Sequence, residues 1–364
     1  MHVLLRTASL LLAASSLLNG GCSDTSNNTG GGPETPGFVA ANLISDQAGV
    51  ATNVDPSLVN AWGLAMDARS FWISNNGSGV ISVVAPDGSP SKFSPAASVL
   101  DVGPGITGIV ANPTSAFLIG PTGKRGAARM LVASETGQIF AINSDIAATP
   151  QLVIDNSSAG AIYKGITIYL ASDGSPRLAA TDFHNGRVDV YDSSFQPIGT
   201  VFVDPNLRTG LAPFNIAAIG NVVYVSYAIQ DADRKDDVPG LGHGRISVFD
   251  LDGHFLKVLE DGNQLDAPWG MALAPAEFSS ALAGSLIVGN FGNGSLIAID
   301  PSSGLTSQLL TPSGHVLMID GLWGLAFGDG QNVGALGSLY FTAGPQDETH
   351  GLYGRIVLGT AAPI

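Results

Sequence analysis

The chain has 364 residues, a formal net charge of −15, 45% hydrophobic and 12% charged residues. So large an apolar fraction excludes a disordered polypeptide, and so acidic a chain repels phosphate backbones, which excludes nucleic acid as a partner. The single cysteine excludes a disulfide framework within one chain, and 47 glycines suit a fold made of tight turns.

Residues 1–21 open with Arg6, continue through the apolar run ASLLLAASSLL and end in small residues before Cys22. A basic start, an apolar core too short to span a bilayer and a small-residue processing site read as a signal peptide. The run Leu18-Asn19-Gly20-Gly21-Cys22 resembles a bacterial lipobox. That resemblance implies lipidation of Cys22, the first residue of the mature chain, and contact with the membrane through this lipid only. With Ser23 following, it also implies export to the cell envelope, at the outer membrane. Residues 22–37 are polar and rich in Gly, Ser, Thr and Pro, the composition of a flexible tether.

Residues 38–364 read as one domain. The stretch 60–88 contains three short apolar strands bounded by Gly, Asn, Asp and Pro: Trp62-Gly63-Leu64-Ala65, Phe71-Trp72-Ile73-Ser74 and 80–85. The pattern recurs five times, with the small residue of the first strand at Gly108, Gly165, Asn215, Gly270 and Gly324. A period of roughly 45 to 57 residues with about four strands per unit marks a β-propeller. The expected fold is therefore all-β, a six-bladed β-propeller of four-stranded blades. The sixth unit stops after its third strand, so the apolar segment Phe38-Val39-Ala40-Ala41-Asn42-Leu43-Ile44 is expected to supply the missing outer strand and close the ring. Trp62, Trp269 and Trp323 are expected to pack between blades, and Trp72 in the core.

This phase puts the loops between second and third strands on the same rim as the crossings between blades, and unequal polar loops are where function sits. The candidate ligand-binding residues there are Asn60, Asn75, Lys164, Asp182, His184, Asn215, Asp266, Asn290 and Asp320. Asn60, Asn215, Asp266 and Asp320 stand at inner-strand entrances, and their oxygens suit calcium or another divalent cation. His184, His243 and His350 lie in equivalent turns of blades three, four and six and supply imidazoles of the kind that bind zinc or copper. The acidic excursion QDADRKDDVPG at 230–240 lacks EF-hand spacing and reads as a solvated charged loop. No GxSxG, HExxH, Walker or CxxCH motif occurs in the chain.

Blades three and four, LAATDFHNGRVDVYD and HGRISVFDLDG, resemble NHL repeats. The runs DPSLVNAWGL at 55–64 and FWISNNG at 71–77, with APWG at 267–270 and DGLWGL at 320–325, resemble a family of uncharacterised secreted bacterial propeller proteins. That resemblance implies a fold and an export route but no activity. Two functions stay open. One is a monomeric binding or scaffolding module that presents its rim and central channel to a glycan, a small ligand or an envelope protein. The other is a divalent-metal-dependent hydrolase or lactonase of gluconolactonase-like type.

Overall fold

The computed structural model describes residues 36–92 and 99–359, so the signal segment, Cys22 and most of the tether lie outside the described residues. Among the described residues six blade sheets follow one another along the chain, with a two-stranded ribbon of Leu118–Ile119 and Gly126–Ala127 beside them and a short strand, Asn53–Val54, added parallel to Gly37–Ser45. Blade one comprises Ala61–Met66, Phe71–Asn75, Val80–Val84 and Val99–Asp101. Blade two comprises Ile106–Ala111, Met130–Ser134, Gln138–Ile142 and Gln151–Asp155. Blades three and four begin at Tyr163–Leu170 and Leu211–Ile219, and blade five at Pro268–Leu273. Blade six is built from Leu322–Phe327, Leu339–Ala343 and Leu352–Gly359, and its outer strand is Gly37–Ser45. That N-terminal strand pairs antiparallel with Leu352–Gly359, from Gly37 opposite Gly359 to Ser45 opposite Leu352. The ring is closed as the sequence predicts, and the edge of the last three-stranded unit is covered.

The expected phase also holds. In every blade the turn after the second strand donates a backbone hydrogen bond to the crossing that enters the blade. These bonds are Asn76 to Asn60, Glu135 to Gly105, Phe183 to Ile162, Gln230 to Gly210, Phe291 to Ala267 and Gly344 to Gly321. The two loop sets therefore form one rim.

The small residue of each inner strand has a structural reason. In each blade the pairing of first and second strands slips at this point, a β-bulge that turns the strand around the axis. The bulged backbones of neighbouring blades approach closely here. A Cβ on Gly63 would lie 2.6 Å from the Thr107 carbonyl of blade two, and one on Gly270 would lie 2.5 Å from the Trp323 carbonyl of blade six. Polar side chains latch the same junctions. Ser74 donates to the Thr107 carbonyl, Thr107 Oγ1 to Tyr163 (2.8 Å), Thr181 Oγ1 to Phe214 (3.1 Å) and Thr342 Oγ1 to Trp62 (2.5 Å). Apolar clusters between adjacent blades supply the rest of the core, such as Trp72, Ile81, Val83, Met130 and Val132 between blades one and two.

Candidate functional site

The residue just before each small one is Trp62, Thr107, Lys164, Phe214, Trp269 or Trp323. Four are aromatic, and they meet each other. Trp62 stacks on Trp323 at 3.8 Å between ring centroids, Phe291 stacks on the same indole at 3.8 Å, and Trp269 meets it edge-on at 5.6 Å. Phe214 of blade four lies 5.9 Å from Trp323 of blade six, and Trp62 of blade one lies 6.4 Å from Trp269 of blade five. Those pairs belong to blades that are not neighbours in the ring. The three tryptophans thus pack between blades as expected, Trp62 and Trp269 each on Trp323 of the adjoining blade six, and they also meet across the axis. Trp72 is in the core, as expected.

Lys164 stands where four of the other blades place an aromatic ring, and its side chain is only 2% exposed. Its Nζ sits 5.0 Å over the Trp62 ring and pairs with Glu135 Oε1 at 2.6 Å and Asp236 Oδ1 at 3.2 Å. Glu135 Oε2 accepts from Asn76 Nδ2 (3.2 Å). Asn60 Nδ2 donates to Asn76 Oδ1 (3.4 Å) and Glu348 Oε1 (2.9 Å), while Trp323 Nε1 donates to Asn60 Oδ1 (3.2 Å). One polar network therefore runs from blade three through blades two and one to blade six, above the aromatic plug.

Burial and charge push the carboxyls of this network apart. Burial works against the Glu135 carboxylate, but Lys164 outweighs it and holds the group below its ordinary range. Burial likewise opposes charge on Lys164, and Glu135 and Asp236 more than restore it. Burial drives Asp237 up to about 7 despite the pull of Lys164, and raises Glu348 as well. Asp237 Oδ2 is buried without a hydrogen-bond partner.

The backbone is unusual at the same place. Of ten non-glycine residues with positive φ among the described residues, seven lie in loops of this rim: Asn60, Arg234, Asn263, Ala267 and the consecutive Gln346, Asp347 and Glu348. Each left-handed residue costs about 1–2 kcal/mol, and such strain gathers at functional sites.

The acidic excursion of blade four corrects an expectation. It is not merely a solvated loop, because Asp236 reaches Lys164 and the half-buried Asp237 has its Oδ2 enclosed. Asp266 Oδ1 anchors the excursion by accepting from Gly240 N at 2.7 Å.

Of the residues singled out from the sequence, Asn60 and Lys164 enter the axial network. Asn215 takes the place of the glycine found in the other blades and is itself a latch, donating from Nδ2 to the Trp269 carbonyl (2.6 Å) while its Oδ1 accepts from Ile216 N. Asp320 Oδ2 accepts from Gln346 N (2.9 Å). Asn60 Oδ1 accepts from Trp323 Nε1, Asn215 Oδ1 from Ile216 N, Asp266 Oδ1 from Gly240 N and Asp320 Oδ2 from Gln346 N, so each of the four has its own partner. Among the described residues no three His, Cys, Asp or Glu side chains are grouped so as to hold one.

Asn75 donates to Ser82 Oγ, Asn290 ties Gln264 to Ser295, and Asp182 holds Asn185 and Ile162 N, with its carboxyl raised chiefly by burial. His184 Nε2 lies 3.3 Å from Arg234, His243 meets the Val238 carbonyl, and His350 pairs with Asp46 at 2.7 Å. The three rim histidines thus have three different settings. Glu135 and Glu348 are missing from the candidates read from the sequence, and Asp236 and Asp237 entered there only as part of the excursion read as solvated, since its irregular loop lies outside the repeat.

No family model matches the chain. Over 329 residues it is 30% identical to "Uncharacterized protein L690" of Acanthamoeba polyphaga mimivirus, covering 86% of this chain and 84% of that one. The chain belongs to the family of that protein. A second mimivirus relative, "Uncharacterized protein R648", is 30% identical over 326 residues, covering 86% of this chain and 78% of its own length. These relatives are viral, and a link to secreted bacterial propellers rests on the motif resemblance alone. Among solved structures, a glucose dehydrogenase superposes with a TM-score of 0.52 at 14% identity, covering 89% of this chain and 100% of that one. At such identity the likeness shows the propeller fold alone.

Proposed function

We propose that this chain is a binding module, exported and held at the cell envelope by a lipid on Cys22, which engages its ligand at the axial rim. The observation that carries the reading is the concentration there of a buried lysine, Glu135, Asp236, Asp237 and Glu348, and left-handed backbone. A repeat fold does not need these features to close, since the latches and interblade clusters already hold it. Four carboxyl groups around one ammonium leave acceptors in excess, so the fitting ligand is rich in donors, as a neutral glycan or an amine is. Amino sugars and neutral oligosaccharides are therefore the compounds to titrate calorimetrically against the unmodified protein and the Glu348→Gln variant. Binding that weakens in the variant supports the rim, and binding that ignores both Glu348→Gln and Asp237→Asn places the ligand elsewhere. The anchor is checked separately by mass spectrometry of the N-terminal peptide, where an unacylated Cys22 in the exported protein would refute it.

A further inference from the structure

The rim opposite the polar network carries a feature that closing the ring does not require. The inner strands of blades three and four, Tyr163–Leu170 and Leu211–Ile219, run for 8 and 9 residues, whereas those of the other four blades have 6 each. Their turns at 171–175 and 220–221 are thereby carried outward, and a cavity of about 540 Å³ lies against them. Its wall is mainly apolar, with Pro113 of blade two, Ile168, Tyr169 and Leu170 of blade three, and Ala218 and Leu251 of blade four. Pro113 and Leu170 are exposed, Leu170 by 48%, and Ala218 and Leu251 are half-buried, so the wall offers apolar surface that the core leaves uncovered.

A second cavity of about 210 Å³ shares Tyr169, Ala171, Ser172 and Leu251 with the first, and Arg177, Asp173 and Asp252 line it. The two make one groove, apolar at one end and polar at the other. Arg177 is half-buried and stands opposite Tyr169 in the strand pairing. Neither its guanidinium nor the Tyr169 hydroxyl makes a hydrogen bond or ion pair among the described residues. Ser172 Oγ donates to Asp252 Oδ1 at 2.8 Å, which fixes that carboxylate and leaves its Oδ2 open. Burial pushes the Tyr169 hydroxyl up to about 12, while Arg177 pulls it down and Asp252 pushes it up, so the phenol is a neutral donor in the field of both charges. Two carboxylates repel an acid, and a guanidinium without a partner repels an ammonium. A neutral head that accepts from Arg177 and Tyr169 and donates to Asp252 satisfies all three.

We propose that this groove binds a neutral amphiphile of about ten to twenty non-hydrogen atoms, its aliphatic chain along Leu170 and Leu251 and its hydroxyl or amide head at Arg177, Tyr169 and Asp252. The apolar end supplies contact area, and the polar end fixes which way round the molecule lies. No residue of the rim network lines the groove, so this site and the rim site are tested independently.

The test is calorimetric titration of the purified protein with octyl glucoside below its micelle concentration, with octanoate and octylammonium as charged counterparts. Saturable binding of the neutral probe, tighter than that of either ion, is expected. Leu170→Asp puts a charge on the exposed apolar wall and is expected to weaken binding about tenfold, and Arg177→Gln about threefold or more. Leu305→Asp, at a position 75% exposed and outside the groove, is expected to leave it unchanged. Should Leu170→Asp fail to fold, Arg177→Gln decides. No saturable binding, an ion preferred to the neutral probe, full affinity in the folded groove variants, or an equal loss in Leu305→Asp would each overturn the proposal.

Discussion

Nζ of Lys164 lies 2.6 Å from Oε1 of Glu135, with the lysine side chain 2% and the glutamate side chain 16% exposed. The pair joins blades two and three at the mouth of the axis, and each charge is tolerable because the other is present. Removing one partner leaves a buried charge uncompensated, which typically costs about 3–5 kcal/mol. Lys164→Met should therefore lower the denaturant midpoint strongly, and adding Glu135→Gln should recover part of the loss. A double variant no more stable than Lys164→Met alone would show that the two charges are not coupled.

Asp237 gives the site a dependence on pH. Its folded-state value of about 7 is above the ordinary 3.8, so the folded chain binds this proton more tightly than the unfolded one does. Its stabilising share is complete below about 3.8 and is lost as pH rises through 7. Glu348 acts in the same sense, while Glu135, held low, contributes stability above its unfolded value that is lost in acid. Chemical denaturation from pH 5 to pH 8 should show stability falling with pH, and Asp237→Asn should flatten that slope. An equal slope in both proteins would contradict the assignment.

The axial glycines admit no side chain. A Cβ at Gly63 would come within 2.5 Å of Ser74 Oγ and 2.6 Å of the Thr107 carbonyl. Gly63→Ala should cost about 1–3 kcal/mol by overpacking. Calorimetric melting checks this, and an unchanged melting temperature would mean that neighbouring bulges move apart freely.

Ring closure can be weakened from the N-terminus. Phe38 is 8% exposed and stacks on Phe278 at 4.9 Å, while its strand covers Leu352–Gly359. Phe38→Ala should cost about 3–5 kcal/mol. Deleting the strand to Ser45 should leave an unpaired edge and a protein that associates, as light scattering would reveal. A monomeric deletion variant of native stability would show that the ring closes without it.

The sequence by itself determined the repeat, the number of blades, the closing strand and the rim on which the loops gather. These follow from local rules, because strand period, turn chemistry and the spacing of small residues are written in consecutive positions. It also carried the clue of Lys164, a cation in a place where four other blades have an aromatic ring. Only the tertiary structure decided which side chains meet. Trp62 and Trp269 are far apart in the chain and in blades that do not adjoin, and they touch because closing six bulged strands brings this position onto the axis. Glu348, Asp236 and Asp237 come from loops without any period, and burial is what raises the Glu348 and Asp237 carboxyls. Burial and proximity belong to the closed ring, and no stretch of sequence contains them.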